Sequence, residues 1–243
     1  MQNFIDPWDI VGKGNFNTKK KLSEIDPVAA DNILVAWPSL LAQINKEFPN
    51  PKGIKALDFG CGTGAFCTKL DQMGFSVTGL DPSREMVRIG RDNSEKSIKY
   101  ILGDKSKIPQ RGKYGLIVSI MVMPFIEEIG NTIKTLSKHL KKNGLLLIAD
   151  FNRNWVSACL KKNVSFADFD SKAVPKSGHM VIADIQIPVF IRTGADFDKI
   201  ANNSGLAKIM EDFPPFTQSF IDSYPDSRPK DVPEYLILGY KKK

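Results

Sequence analysis

The stretch Leu57-Asp58-Phe59-Gly60-Cys61-Gly62-Thr63-Gly64 ends an apolar, strand-like run in a carboxylate and then places glycine at every second position. Such glycines let the main chain take left-handed turns and approach a ligand closely. The acid two residues before the first glycine narrows the choice of ligand. A pyrophosphate wants bare N–H donors at a helix start, whereas a carboxylate at Asp58 suits a ligand that carries an ammonium group. The same run also satisfies the relaxed dinucleotide fingerprint G-x-G-x-x-A through Gly60, Gly62 and Ala65, so the loop by itself leaves two nucleoside cofactors open.

Downstream of Ile54 the pattern alternates strand and helix. Strands are expected at 54–59, 76–80, 98–102, 116–121 and 145–149, and helices at 65–73, 83–92 and 126–140. This rhythm predicts an α/β fold, a doubly wound parallel sheet whose ligands bind beyond the carboxyl ends of the strands. Five segments should then converge: Asp58 to Gly64, Asp81 to Ser83, Gly103 to Lys105, Ser119 to Met123 and Asp150 to Asn152. Gly74 and Gly144 read as left-handed helix ends just before strands.

The flanks read differently. Asp26-Pro27 opens a helix that Pro38 interrupts, and a second helix follows over 39–48, so residues 1–50 form an N-terminal helical arm. Trp8 and Trp37 in this arm either pack or cap a cofactor. Residues 151–192 break the alternation, and a segment that long inside a compact domain predicts an inserted pair of strands or a lid. Thr193 with Asp196 caps a helix that stops at Ser204-Gly205, and two closing strands are expected at 208–213 and 234–240. The expected organisation is an arm (1–50) and one catalytic domain (51–243), with a cofactor-binding core at 54–150 and a substrate insertion at 151–192.

The pattern D-x-G-x-G-x-G, met by Asp58, Gly60, Gly62 and Gly64, resembles motif I of the class I S-adenosylmethionine-dependent methyltransferases. Further segments are similar to the same family in order and spacing. In Gly79-Leu80-Asp81-Pro82-Ser83, the resemblance implies that Asp81 accepts hydrogen bonds from both ribose hydroxyls. In Leu102-Gly103-Asp104-Lys105, it implies that the Asp104 carboxylate accepts from the adenine amino group while the next backbone N–H meets a ring nitrogen. An ordinary turn aspartate bonding its own backbone is the alternative for Asp104. Ser119, Ile120 and Met121 match the strand that passes beneath the methionine part of the cofactor. The resemblance covers about 100 residues from Ile54 to Asp150, and implies a Rossmann-like, seven-stranded, mostly parallel sheet with an antiparallel last strand near Val232 to Tyr240. Two departures stand out. Gly115 replaces an acid, and Pro124-Phe125 occupies places where many small-molecule members carry histidines.

The bulk properties set limits. At 243 residues, 42% hydrophobic and 25% charged, the chain suits one good core. No apolar run approaches the roughly 20 residues of a membrane-spanning helix, and the start lacks a basic-then-apolar export pattern, which predicts a cytoplasmic protein. Cys61, Cys67 and Cys159 show no zinc-ligand spacing and predict reduced thiols and no metal. The net charge of +7 is spread over scattered lysine clusters without interleaved aromatics, which predicts solvated surface rather than a nucleic-acid track.

These readings predict methyl transfer to a small molecule by in-line displacement, with S-adenosylmethionine as cofactor. His179 and Asp150 are candidate bases whose bland alternatives are a surface histidine and a turn aspartate, so catalytic residues stay unassigned. His139 reads as an exposed structural residue. Trp155, Phe166 and Phe169 suggest that the insertion and the arm together build the acceptor pocket. An RNA or protein methyltransferase is favoured by net charge alone. A nicotinamide-dependent oxidoreductase and a catalytically silent cofactor binder, the latter suggested by the missing histidines, are the readings from other classes.

Overall fold

A computed structural model describes residues 7–13, 30–110, 113–182, 185–225 and 228–243. Among them, seven strands form the main sheet: β1 (Lys55–Phe59), β2 (Ser76–Asp81), β3 (Lys99–Leu102), β4 (Tyr114–Ile120), β5 (Leu140–Phe151), β9 (Leu206–Asp212) and β10 (Tyr235–Lys242). Their order is β3-β2-β1-β4-β5-β10-β9. Strands β1 to β5 run parallel, and β10 lies antiparallel between β5 and β9. The doubly wound sheet and its antiparallel last strand match the expectation.

Side-chain parity explains the two-faced core. Ala56, Val77, Leu116, Val118, Leu145, Leu147 and Ala149 join one buried cluster. Their neighbours Leu57, Leu80, Ile117, Leu146 and Ile148 join the other. Alternate residues of a strand point to opposite faces, so a strand buried on both sides reads as a continuous apolar run. Helix α3 (Ala65–Gln72) buries Phe66, Cys67 and Leu70 on the first face, while α5 (Ile129–His139) buries Ile129, Ile133 and Leu136 on the second. Helix α4 (Arg84–Asn93) starts at Ser83, whose Oγ accepts from the Met86 N–H at 3.2 Å.

In the arm, α1 (Pro7–Lys13) packs against α4. Asp9 Oδ1 accepts from Ser83 Oγ at 2.5 Å and from the Glu85 N–H at 3.0 Å, which places a carboxylate at the start of α4, where it complements the helix dipole. The expected start at Asp26-Pro27 lies outside the described residues. Pro38 does not interrupt the following helix. A π-helical turn (Asn32–Ala36) runs directly into α2 (Trp37–Glu47), and Pro38 falls in the first turn of α2, where a missing N–H is tolerated.

The insertion is richer than a strand pair. Helix α6 (Arg153–Lys161) precedes a separate antiparallel sheet of β6 (Phe166–Asp170), β7 (Lys176–Ile182) and β8 (Ile185–Ile191) in the order β6-β7-β8. Trp155 is fully buried, stacks on Phe151 with centroids 5.7 Å apart, and donates its indole N–H to the Pro229 carbonyl at 3.0 Å. Helix α7 (Gly194–Asn203) carries the expected capping box of Thr193 and Asp196, and the short α8 (Gln218–Ser223) precedes β10.

Gly144 is a correction. It lies inside β5, which begins at Leu140, and Asn143 rather than Gly144 holds the positive φ of 61°. The sheet absorbs 141–144 as an irregularity, since β4 pairs Tyr114 with Leu140 and then Leu116 with Leu145. Gly74, with φ of 100°, does end α3 as expected.

The reciprocal bonds at Thr193 fix the start of α7. Replacing Thr193 by Ala should lower unfolding stability by about 1 kcal/mol in urea titration, with the slope unchanged.

Candidate active site

All five expected segments meet at one edge of the sheet. They line a cavity of about 520 Å³. Asp58, Gly60, Cys61, Gly62 and Thr63 come from the turn after β1, Asp81 and Pro82 from β2, Asp104 and Lys105 from β3, Ile120 and Met121 from β4, and Phe151 from β5. Three expected residues, Gly64, Gly103 and Ser119, stand behind that surface. Gly64 starts α3 with φ of 79°, Gly103 donates its N–H to the Asp81 carbonyl at 2.9 Å, and Ser119 is fully buried with no partner for its Oγ.

The glycines have separate tasks. Gly62, at φ of 51°, has only open space where a Cβ would be, so the bare main chain forms the wall. At Gly60 a Cβ would strike Val122, and at Gly64 the Tyr100 hydroxyl. Asp81 holds this turn in shape. Its Oδ2 accepts from the Gly62 N–H at 2.8 Å and its Oδ1 from the Ser83 N–H at 2.9 Å, which ties the β1 and β2 turns together. Asp81 itself lines the cavity.

Asp58 faces the same side as Ala56, toward α3, where Cys67 Sγ donates to its Oδ2 at 3.3 Å. Burial pushes its carboxyl up to about 7; the Cys67 bond opposes this rise and the charge of Asp81 adds to it. Cys67 therefore belongs to the site as well as to the core, which its residue type alone did not reveal. Asp104 makes the bonds of a turn aspartate and also lines the cavity. Its Oδ1 accepts from Ser106 N at 2.9 Å and Ser106 Oγ at 2.6 Å. Those bonds hold its carboxyl below the usual range.

Neither candidate base lines the cavity. Asp150 is one residue from Phe151 and so points to the opposite face, where Arg192 lies; burial raises its carboxyl to about 7, against the pull of the Phe151 N–H at 2.6 Å and the Arg192 charge. His179 alternates with Met180 and Ile182, which do line the cavity, and its Nδ1 stands 3.9 Å from Asp168. His139 is a correction: it is buried rather than exposed, and its Nδ1 meets the Thr135 carbonyl at 2.9 Å. Trp155, Phe166 and Phe169 form an aromatic cluster behind Phe151 instead of facing the cavity.

Trp8 and Trp37, read from sequence as packing or capping residues, line the cavity, whereas Asn32, Ile33, Glu234, Tyr235 and Thr132 were not anticipated. The arm supplies Trp8, Asn32, Ile33 and Trp37, with Trp8 edge-on to Phe125 at 4.8 Å and Trp37 edge-on to Phe66 at 5.0 Å. The start of β10 supplies Glu234 and Tyr235, and α5 supplies Thr132, a fully buried residue whose hydroxyl has no partner. Arg192 joins the insertion to the β4–α5 loop. Its guanidinium donates to the carbonyls of Met123 at 3.2 Å and Ile126 at 3.0 Å, and also to that of Glu127.

A crevice at the carboxyl ends of parallel strands, floored by a glycine turn and flanked by acids at three successive strand ends, defines a nucleoside-binding Rossmann-like protein. The family follows from direct comparison. A methyltransferase-domain model matches residues 33–209, and the chain belongs to that family. The ubiquinone biosynthesis O-methyltransferase of Bradyrhizobium diazoefficiens is 29% identical over 130 residues, 52% of this chain and 51% of that protein. The chain thus matches about half the length of that relative. Among solved structures, an S-adenosylmethionine-dependent methyltransferase from Mesorhizobium loti aligns with a TM-score of 0.66 at 20% identity, covering 89% of this chain and all of that one. The magnesium protoporphyrin IX methyltransferase of Synechocystis PCC 6803, solved with bound SAH, aligns with a TM-score of 0.63 at 18% identity, covering 95% and 90% of the two chains.

The turn geometry makes the glycines unequal. Replacing Gly62 by Ala should cost about 1 kcal/mol, the strain of a left-handed alanine, whereas Gly64→Ala adds the collision with Tyr100 and should cost clearly more in urea unfolding.

Proposed function

We propose that this protein is an S-adenosylmethionine-dependent methyltransferase acting on a small-molecule acceptor. The observation that carries the reading is Asp58, a buried carboxylate facing the cavity with a thiol as its hydrogen-bond donor, where a cationic amino-acid tail fits. The cofactor fits the remaining residues. Asp81 would meet the ribose hydroxyls, Asp104 and the Lys105 main chain the adenine edge, and the bare Gly62 wall the methionine part, a reading supported by their places in the cavity lining. Pro82, Ile120 and Met121 supply apolar contact, while Gly60, Cys61 and Gly64 shape the turn and Gly103 and Ser119 support it from behind. When bound, the cofactor presents a methyl group on a sulfonium, which reacts by in-line displacement.

This chain's own contribution is position and dryness. The acid-bearing turns at β1, β2 and β3 fix one end of the cavity. Trp8, Trp37, Phe125 and Phe151 exclude water from the rest and hold an acceptor in line, a contribution that reaches many orders of magnitude in effective concentration. The arm and the insertion form the acceptor end, supported by Met180, Ile182, Asn32 and Ile33 in the lining. The names of the relatives favour oxygen as the atom methylated. No helix among the described residues is long and apolar enough to cross a membrane, and all three cysteines are free, which supports a reducing, cytoplasmic setting.

Calorimetric titration with S-adenosylhomocysteine and with a nicotinamide dinucleotide tests the reading. Binding of the first and not the second is expected; the reverse would refute it. Labelled-methyl transfer to small-molecule pools, with no label entering RNA or protein, separates the acceptor classes.

Asp58 also predicts a pH dependence. Below about pH 7 its carboxyl is protonated in the free protein, and a neighbouring ammonium requires it ionised, so binding releases a proton. Affinity for S-adenosylhomocysteine should fall by up to about tenfold per unit as pH drops from about 7 to about 5, and level off above. Asp58→Asn should flatten that profile and weaken binding at pH 8 by roughly tenfold or more.

A further inference from the structure

Asp58 sits where the neighbouring strand keeps a space clear. In the parallel register it pairs with Gly79 of β2, so the two residues face the same side of the sheet, toward α3. A Cβ at Gly79 would come within 2.9 Å of the sulfurs of both Cys61 and Cys67 and 3.0 Å of the Tyr100 ring. Gly79 has no left-handed φ, so space rather than backbone conformation accounts for the glycine. A glycine inside a strand marks a close approach, and what approaches here is a pair of thiols, one from the turn after β1 and one from α3.

Of the two, Cys67 reaches the carboxylate, donating to Asp58 Oδ2 at 3.3 Å in a buried contact. Cys61 directs its thiol to the Gly62 carbonyl at 3.7 Å, and the Tyr100 hydroxyl meets Ser94 Oγ at 2.7 Å. Asp58 Oδ1 makes no hydrogen bond among the described residues, is not sealed off, and belongs to a residue that lines the cavity. The titratable groups that face Asp58 are Cys67 on α3, Cys61 in the turn, Asp81 at the end of β2 and Tyr100 on β3, and none of these is a cation. Burial pushes the Cys67 thiol well above its usual range, so it keeps its proton and remains a donor across the neutral range. A thiol is also a weak donor. It steadies one oxygen of the carboxylate without taking the place of a charged ligand at the other, which a buried lysine or arginine would do.

We propose that Cys67 is a positioning residue for cofactor capture: seated in the space that Gly79 leaves open, its thiol holds Asp58 turned and ionised to receive an ammonium group at Oδ1. Cys67 itself does not line the cavity. It acts through Asp58, whose charged form the hydrogen bond favours. Without the thiol, burial and the like charge of Asp81 act on Asp58 unopposed, its proton leaves at a higher pH, and an ammonium group meets a neutral carboxyl over more of the neutral range. Once the carboxylate is ionised, the thiol makes little further difference to the ligand. Loss of the donor is therefore felt on the acidic side of the binding profile. This inference rests on the proposed methyltransferase reading and identifies what tunes the group at its centre.

The test is calorimetric titration of the full chain with S-adenosylhomocysteine between about pH 5.5 and about pH 8.5, in wild type, Cys67→Ala, Cys67→Val and Cys67→Ser. Alanine and valine remove the donor, valine while filling the space, and either one that folds suffices. The midpoint of the fall in affinity should move up by about half to one unit in these variants. Affinity at about pH 6 then drops roughly three- to tenfold below wild type, while affinity at about pH 8.5 stays within about twofold. Proton release on binding at about pH 7, read from the heats in two buffers of different ionisation enthalpy, should rise in the same two variants. Cys67→Ser keeps a donor and should hold the midpoint closer to wild type than either. A merely structural role would weaken binding by one factor at every pH. That result, an unmoved midpoint, or a serine variant that matches alanine overturns the proposal. Wild type that binds no S-adenosylhomocysteine at any pH would instead strike the methyltransferase reading itself.

Discussion

The structure turns on the burial of Asp58. A carboxylate taken out of water at the end of a central strand is costly unless a cation or hydrogen bonds repay it, and among the described residues its side-chain donor is a thiol. That deficit is tolerable because the missing partner can arrive with a ligand. The neighbouring features follow from keeping the place ready. Parallel strands put the residue at a shared carboxyl edge, the glycine turn keeps side chains out of the space in front of it, and Asp81 pins the turn to β2 through Gly62 and Ser83. Left-handed backbone at Gly60, Gly62 and Gly64 is thus concentrated where the chain must face a ligand.

The order of strands then divides labour along the crevice. Elements early in the chain, from β1 to β3, build the end that suits a nucleoside. Later additions, the insertion and β10, build the opposite end together with the arm. Arg192 is what makes the later addition part of the same site. Its guanidinium donates to three carbonyls of the β4–α5 loop in place of water and fastens β8 to the loop that carries Phe125 and Ile126. A lysine could not span these acceptors, because only the planar fork presents several donors in fixed directions.

Legibility followed the range of the interactions. The core strands, the glycine turn and the acids at 58, 81 and 104 were readable because each depends on local pattern: parity, turn chemistry and spacing. Parity read one step further would have removed Asp150 and His179 as cavity residues, since Phe151 and Met180, their neighbours, are the ones that line it. Gly144 misled because a glycine before an apolar run signals a helix end, whereas the sheet here starts four residues sooner and lets Asn143 take the left-handed position. Glu234, Thr132 and Asn32 were invisible for a different reason. Nothing local distinguishes them; only the antiparallel insertion of β10 and the path of the arm bring them to the edge.

The absence of histidine at Pro124-Phe125 bears on how much chemistry the walls need to perform. Transfer from a sulfonium releases no anion, so the leaving group requires no proton, and the reacting partner alone sets any demand for a base. Phe125, packed edge-on against Trp8, contributes dryness at that place rather than proton transfer. A cavity built this way accelerates by alignment and by excluding water, and it depends on the acceptor entering in one orientation. That dependence explains why, in such a site, the shape of the apolar wall counts for more than a base placed beside the methyl group.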